Sequence, residues 1–281
     1  PLPGLERAGE PSQWIDDRLG DELLRVLERL TARAGDWVGD GRFPFFANLS
    51  LYAVHTPVRP TAEDRAAFDD ARIPAGSRHD DLEYAAYVKG YDDVVGDVIA
   101  KLEELDDPRW PGHKLIENTI VVLTSDNGGF GGYEESGVPG LETYGAGPTD
   151  NWPLRGGKGQ LYEGGIRVPL IIRWDAGLPV RDENGELDEA LRARCRDLLI
   201  SGVDLTPTLL GLAGVGDCSG MDGRDLSGYL RGRQPKHADQ LFWHFPAYLE
   251  AGRKGMRTGP ASLIRSEDFA LHYVYEDRRV E

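Results

Sequence analysis

A carboxylate, an amide and a lysine stand in two short glycine-containing stretches of this sequence. Asp126 and Asn127 follow an apolar stretch and precede two glycines, and Lys158 lies in the segment Leu-Arg-Gly-Gly-Lys-Gly. Carboxylate and amide oxygens are ligands that suit a hard cation such as calcium. An ammonium group supplies a point charge for an anion. Together the three residues predict a metal ion with a bound oxyanion.

Each of these residues also has a plain structural interpretation. Asp-Asn-Gly is a common turn sequence, because the side chains of Asp and Asn bond to nearby backbone. Calcium takes about 6–8 oxygen ligands, so Asp126 and Asn127 cannot complete a site alone. Lys158 could be an ordinary surface lysine, and the lysine pattern of the phosphate-binding P-loop is absent. The occurrence of both stretches in one chain favours the metal and anion interpretation.

His55 is a further candidate, because it follows the apolar segment 43–52 and precedes Thr-Pro. A histidine at the end of a strand can hold an oxyanion or protonate a leaving oxygen. It can equally cap the turn, and the sequence leaves both interpretations open. His244 is flanked by aromatic residues and is predicted to pack within a strand.

The elements that must position these residues are predicted from hydrophobic periodicity. The expected helices and strands alternate along the chain: helix 21–34, strand 43–52, helix 82–104, strand 118–125, strand 168–174 and helix 204–212. This alternation predicts an α/β fold with a mostly parallel sheet flanked by helices. Ligands of such folds lie beyond the carboxyl ends of the strands, which is where Asp126 falls.

The organisation changes near residue 235. Short strand-like stretches separated by turns follow, and they predict a small C-terminal antiparallel α+β subdomain over 236–281. Residues 1–235 are then the main domain, with residues 1–20 read as a loop. The glycine-rich stretch 128–160 shows no regular period, and a loop of that length usually has a functional reason.

Composition narrows the possible partners. The 281 residues carry 32 basic and 48 acidic side chains, a net charge of −16. Nucleic acid is therefore not an expected partner. No apolar run is long enough to predict a membrane span. Cys195 and Cys218 are free thiols or a disulfide, and the sequence does not decide which.

The ordered motifs resemble the sulfatases of the alkaline-phosphatase superfamily, closest to the arylsulfatase type. The resemblance rests on six segments: 44–57, 84–96, 119–128, 154–169, 204–210 and 221–226. They occur in the family's order and cover most of residues 40 to 275. Their joint occurrence is specific, although each one alone is not.

The resemblance implies roles for the four candidates. Asp126 and Asn127 correspond to the later pair of calcium ligands, and His55 and Lys158 to residues that hold the sulfate ester, with Lys158 near the bridging oxygen. In this family a Cys or Ser in a Cys/Ser-x-Pro-x-Arg motif is oxidised to formylglycine, whose hydrated form attacks sulfur. The family also suggests an exported protein that acts on a sulfate ester, with sulfated carbohydrate as one class of substrate.

The nucleophile motif is absent from these 281 residues. The chain also begins with Pro1 rather than Met, so we expect it to be the C-terminal part of a sulfatase that starts after the nucleophile region. We therefore expect the isolated chain to have little or no activity. Alternatives are a phosphomonoester or phosphonate hydrolase of the same superfamily, a non-catalytic protein that binds sulfated glycans, and an unrelated α/β domain with chance matches.

Overall fold

The computed structural model describes residues 13–32, 44–68, 78–133, 147–178, 186, 198–216, 219–233, 240–250 and 256–281. Cys195 and Cys218, and most of the charged stretch 175–192, lie outside these ranges. The chain divides into two compact units. The first comprises residues 1–119 with 148–150, and the second comprises 120–147 with 151–281. The domain boundary expected near residue 235 stays a prediction.

The first unit is helical. Its helices are α1 (Ile15–Ala32), α2 (Ala62–Ala66) and α3 (Leu82–Glu104), followed by a 3₁₀ turn at Leu115–Asn118. The helix predicted over 82–104 is confirmed as α3. Asp81 caps its N-terminus, and its side chain accepts a hydrogen bond from the amide of Tyr84 at 2.9 Å. The buried face of α3 includes Ala86, Tyr87, Val94 and Leu102.

Helix α1 begins at Ile15, so the expected loop over residues 1–20 is wrong for residues 15–20. The loop was expected because residues 1–20 are rich in Pro, Gly and charged residues. In the structure, a Cβ atom built on Gly20 would lie 2.8 Å from Cγ1 of Val94. The glycine is therefore a point of close approach between α1 and α3.

The apolar segment expected as a strand over 43–52 is not a strand in the described part, residues 44–52. The chain there has no regular secondary structure, and Phe46 is 86% exposed. A strand needs a neighbour to receive its backbone hydrogen bonds. No described strand pairs with this segment. The prediction that His55 follows a buried strand is therefore wrong.

The second unit contains all the described strands. Strand β1 (Val121–Thr124) pairs with β2 (Leu170–Arg173), and the short α4 (Glu163–Ile166) lies between them in sequence. Two more helices follow, α5 (Leu205–Leu212) and α6 (Ser227–Leu230). The helix predicted over 204–212 is confirmed, with Pro207 buried in its first turn.

The C-terminal part forms the predicted antiparallel sheet. Strands β3 (Gln240–Phe245), β6 (Ala261–Ser266), β7 (Ala270–Val274) and β8 (Arg279–Val280) pair in this order. A separate hairpin joins β4 (Leu249–Glu250) and β5 (Met256–Thr258). Ala261 and Leu263 of β6 are buried. His244 in β3 is exposed rather than packed, and its Nδ1 lies 2.8 Å from Oγ of Ser262.

The α/β class and the small C-terminal sheet are thus confirmed, but every strand pairing among the described residues is antiparallel. The parallel pairing expected for the main sheet is not seen there. Parallel neighbours need a crossover connection, usually a helix. The described chain between β1 and β2 contains only the four-residue α4.

Candidate functional site

His55 lies in the first unit, in a tight turn that follows the extended segment 44–52. Its backbone amide donates to the carbonyl of Tyr52 at 2.8 Å, and its Nδ1 lies 2.7 Å from the carbonyl oxygen of Thr56. A carbonyl can only accept, so Nδ1 carries a proton in this contact. Nε2 of the exposed ring is then the nitrogen that can donate to an anion when the ring is doubly protonated.

Asp16, at the start of α1, fixes the turn that carries His55. Its Oδ1 accepts hydrogen bonds from the backbone amides of Tyr52 and Ala53, and the residue is 2% exposed. Its Oδ2 is buried and has no hydrogen-bond partner among the described residues. This role was not predicted, because residues 1–20 were expected to form a loop. The one local signal for Asp16 is its place beside Asp17 ahead of an apolar helical stretch.

Asp126 and Asn127 lie in the second unit, in the bend that follows β1. The register pairs Thr124 at the end of β1 with Leu170 at the start of β2. The hydroxyl of Thr124 also donates to the carbonyl of Pro169 at 2.9 Å. The Asp126 bend and the chain entering β2 therefore lie at the same end of this strand pair. The sequence predicted Asp126 beyond the carboxyl end of a strand in a mostly parallel sheet. In the structure Asp126 does follow the end of β1, but β1 and β2 pair in antiparallel fashion.

The side chains in this bend leave oxygen atoms free to bind a cation. Asp126 is exposed, and its carboxylate has no hydrogen bond or ion pair with any described residue. Nδ2 of Asn127 donates to the carbonyl of Gly128 at 3.0 Å, which leaves Oδ1 as the free acceptor. Ser125 supports the bend through a bond from its hydroxyl to the carbonyl of Asn127 at 2.8 Å.

These two oxygens fit calcium by chemistry but do not complete its coordination. A carboxylate and an amide oxygen are hard donors of the kind calcium prefers, and about 6–8 are needed. The described residues contain no group of three or more metal-ligating side chains. A calcium ion held by these two oxygens would need further ligands from other residues.

Lys158 is joined to the Asp126 bend through backbone. The amide of Lys158 donates to the carbonyl of Gly129 at 2.9 Å, and the phenol of Tyr133 donates to the carbonyl of Lys158 at 2.9 Å. The Lys158 residue is half-exposed, and its ammonium forms no ion pair with a carboxylate in the described ranges. The structure therefore brings three of the four predicted residues into one network. His55 lies in the other unit.

Glycines allow this network to form, because backbone meets backbone directly. The amide of Gly128 donates to the carbonyl of Gly165 at 2.9 Å. A Cβ on Gly128 would lie 1.8 Å from the carbonyl oxygen of Gly164, and a Cβ on Gly157 would lie 2.0 Å from that of Gly131. Real side chains do not approach so closely. The glycine-rich segments are thus required at these contacts rather than merely tolerated.

The segment 154–159, which carries Lys158 and is called the lysine loop below, also contacts the C-terminal sheet. The guanidinium of Arg155 lies 3.0 Å from Oε2 of Glu281 and 3.9 Å from the centre of the Tyr162 ring. The phenol of Tyr162 donates to the same carboxylate oxygen at 2.9 Å. Burial raises the pKa of Tyr162, and the bond to Glu281 raises it further. Burial acts to raise the pKa of Glu281, but Tyr162 and Arg155 outweigh it and hold the pKa below its usual value.

Comparison of the sequence with known proteins identifies a family. The sequence model of the Sulfatase family matches residues 16–215. A sulfatase of Formosa agariphila is 33% identical over 281 residues, covering 95% of this chain and 43% of that protein. Human steryl-sulfatase is 31% identical over 232 residues, covering 81% of this chain and 33% of that protein.

The fold is shared with a solved structure, Ps i-CgsB. The two superpose with a TM-score of 0.65 at 23% identity, covering 96% of this chain and 48% of that one. The chain thus spans less than half the length of these relatives. No described helix is long and apolar enough to cross a membrane. The family model covers most of the chain, and the chain therefore belongs to the sulfatase family.

Proposed function

We propose that the complete protein hydrolyses sulfate esters in a calcium-dependent reaction, and that this chain supplies one part of the metal and sulfate site. One observation carries the proposal: the hydrogen bond from the amide of Lys158 to the carbonyl of Gly129. It joins the bend that offers two hard oxygen ligands to the loop of Lys158, whose ammonium has no ion pair with the residues that the structure describes. This bond supports the proposal, because it holds the bend with the two candidate metal ligands and the candidate anion-binding lysine in the same backbone network.

The nucleophile in this proposal is a formylglycine in sequence N-terminal to the chain. The residues present here would bind and orient. Asp126 and Asn127 would hold the calcium ion, which would supply positive charge to the sulfate oxygens when bound. Lys158 would lie near the bridging oxygen, where its ammonium stabilises the negative charge that develops as the alcohol leaves.

His55 has a separate role in the proposal. Its Nδ1 proton is used by Thr56, so only Nε2 can face a ligand. A doubly protonated ring can donate from Nε2 to a sulfate oxygen and hold the ester. Asp16 would support this role indirectly, since it fixes the backbone of the turn on which His55 lies.

The substrate in this proposal is a sulfate ester, and sulfated carbohydrate is the class that the family suggests. The test uses the complete protein with its own N-terminal part, produced with a formylglycine-generating enzyme. The substrates are 4-nitrophenyl sulfate, a steryl sulfate and a sulfated oligosaccharide, with 4-nitrophenyl phosphate and a phosphonate monoester for comparison. Release of inorganic sulfate that stops on chelation and returns with calcium is the expected result.

Other outcomes would overturn this proposal. Faster hydrolysis of the phosphate or phosphonate ester would indicate a phosphomonoester or phosphonate hydrolase instead of a sulfatase. Binding of sulfated oligosaccharide that survives chelation, without release of sulfate, would indicate a non-catalytic glycan-binding protein. The isolated 281-residue chain serves as the control and should not turn over an aryl sulfate.

A further inference from the structure

Asn151 joins two backbone segments of the second unit with one side chain, the segment 129–131 and the chain at Gly156. Its Oδ1 accepts a hydrogen bond from the amide of Gly129 at 3.1 Å, and its Nδ2 lies 3.0 Å from the carbonyl oxygen of the same residue. The same Nδ2 lies 3.1 Å from the carbonyl of Gly131 and 3.0 Å from that of Gly156. Asn151 belongs to none of the motifs that suggested the site.

Only a primary amide of this length can make this set of contacts. Nδ2 has two protons for three carbonyls, so one proton is shared between two acceptors. Aspartate has the same shape but no protons, and it would place negative charge against three carbonyl oxygens. The space is also close-packed, because a Cβ on Gly157 would lie 3.0 Å from Nδ2 of Asn151. A longer glutamine would not fit without displacing backbone.

The segments that Asn151 joins are the ones that carry the candidate residues. Gly129 closely follows Asp126 and Asn127 in sequence, and its carbonyl also accepts the amide proton of Lys158. Gly156 lies just before Lys158. The amide of Asn151 therefore acts on both the metal-ligating bend and the lysine loop, and on the hydrogen bond that connects them.

We propose that Asn151 is a positioning residue that sets the Asp126–Asn127 bend against Lys158. It acts through the backbone of Gly129 and Gly156 and touches no reacting atom. The inference rests on the proposed function, because the position of the bend relative to Lys158 matters for catalysis only if both take part in sulfate ester hydrolysis. A displacement of about 1 Å in such a site can cost about 100-fold in rate.

The test compares Asn151→Asp with the complete wild-type protein and with Gln240→Glu. The control makes the same change from amide to carboxylate at an exposed strand position of the same unit. Three quantities are measured: hydrogen exchange of the segments 126–133 and 155–160 without substrate, calcium binding at equilibrium, and steady-state hydrolysis of 4-nitrophenyl sulfate per folded molecule.

For Asn151→Asp we expect exchange at these two segments to accelerate about 10-fold or more. Calcium binding should weaken about 10-fold, and kcat should fall about 100-fold with KM changed less than threefold. Gln240→Glu should match the wild type in all three. If Asn151→Asp lowers only the denaturation midpoint, while calcium binding and kcat per folded molecule are unchanged, the proposal is overturned and Asn151 is a stabilising residue.

Two further outcomes are separable. If Asn151→Asp does not fold, Asn151→Ser is judged by the same criteria, since its hydroxyl keeps one donor and one acceptor but reaches less far. If the wild-type protein hydrolyses no sulfate ester, the proposed function fails. Exchange and calcium binding then decide the positioning role alone. Unchanged values in the Asn151 variant would reject it, and changes confined to the two segments with weaker binding would support it.

Discussion

The carboxylate of Asp16 accepts a hydrogen bond from the backbone amide of Tyr52, which lies 36 residues later in the sequence. A second bond from Ala53 reaches the same oxygen at 3.3 Å. Helix α1 thereby holds the turn that presents His55. The contact connects a buried residue with no chemical role to the turn that carries an exposed residue with a proposed role, His55.

Replacing Asp16 with alanine should therefore affect both stability and activity. Two backbone amides would lose their acceptor, at about 1–3 kcal/mol each if they stay buried. Hydrolysis by the complete protein should fall with the misplacement of His55. Urea denaturation and steady-state kinetics measure the two effects, and Asp80→Ala, an exposed position in the same unit, is the control. Full activity per folded molecule would show that the turn does not depend on Asp16.

Replacing Asp126 with asparagine should weaken calcium binding. The substitution removes the charged ligand but keeps its shape. We expect the dissociation constant for calcium to rise roughly 10- to 100-fold, the range seen even when groups around a metal site are altered. Calorimetric titration of the metal-free complete protein gives this constant. Asp222→Asn, at an exposed position, should bind calcium as the wild type does. Equal binding by both variants would remove Asp126 from the metal site.

Lys158→Gln should reduce catalysis without unfolding the protein. Its described contacts are made by the backbone, which the substitution keeps. Loss of one group that stabilises developing charge typically costs about 100- to 1,000-fold in kcat. We expect a loss in this range for 4-nitrophenyl sulfate. Lys114→Gln, which breaks a surface ion pair with Asp106, is the matched control. A Lys158 variant as active as the control would contradict the proposed role.

Gly128→Ala should destabilise the second unit strongly. The new Cβ would lie 1.8 Å from the carbonyl oxygen of Gly164, so backbone must move. We expect a loss of about 3 kcal/mol in the free energy of unfolding. Gly96→Ala is the opposite case, because Gly96 lies within α3 and a Cβ there meets no atom within 4 Å. It should stabilise by up to about 1 kcal/mol. Chemical denaturation of both variants tests the pair.

Asp204 should make stability depend on acid pH. Burial acts to raise its pKa, but hydrogen bonds from the Arg224 side chain and from the backbone amides of Arg224 and Ser201 hold the pKa below the ordinary value of 3.8. Because the folded-state pKa is the lower one, the carboxylate stabilises the fold above 3.8. That stabilisation is lost as the pH falls from about 5 through 3.8 towards the folded-state pKa.

Asp204→Asn tests this dependence. It leaves the Arg224 guanidinium without its buried partner, and we expect a loss of about 3 kcal/mol at pH 7 that shrinks towards pH 3. Asp175→Asn removes a pair with Arg173 in which both side chains are 39% exposed. It should cost less than about 1 kcal/mol. Denaturation midpoints at pH 7, 5, 4 and 3 give the comparison. A loss in Asp204→Asn that does not vary with pH would refute the linkage.

The sequence predicted elements best where one local pattern decides the structure. The period of α3 and the strand-like stretch that forms β3 are properties of continuous segments, and both elements were found where expected. The strand predicted over the apolar segment 43–52 was wrong for its described part, residues 44–52. A strand forms only where a neighbouring strand receives its backbone hydrogen bonds, and the local sequence does not show whether such a neighbour is present. The start of α1 was missed because residues 1–20 are rich in Pro, Gly and charge, whereas the place of Gly20 in the helix depends on its close approach to Val94 in another helix.

The candidate site divides in the same way. Asp126, Asn127 and Lys158 could be proposed as site residues because their glycine-framed motifs are local and resemble a family. Asn151 and Asp16 were not found, since their partners are backbone groups of distant segments. A backbone carbonyl or amide is the same at every position, so it leaves no mark in the sequence.

The ion pair of Arg155 with Glu281 has a consequence for synthesis on the ribosome. The two residues are 126 positions apart. At about 5–20 residues per second, translation from one to the other takes about 6–25 s. During that interval the nascent lysine loop has neither the carboxylate of Glu281 nor the adjoining strands against it. A chaperone that shields exposed loops of nascent chains would have this interval in which to bind, and the arrival of β8 would end it.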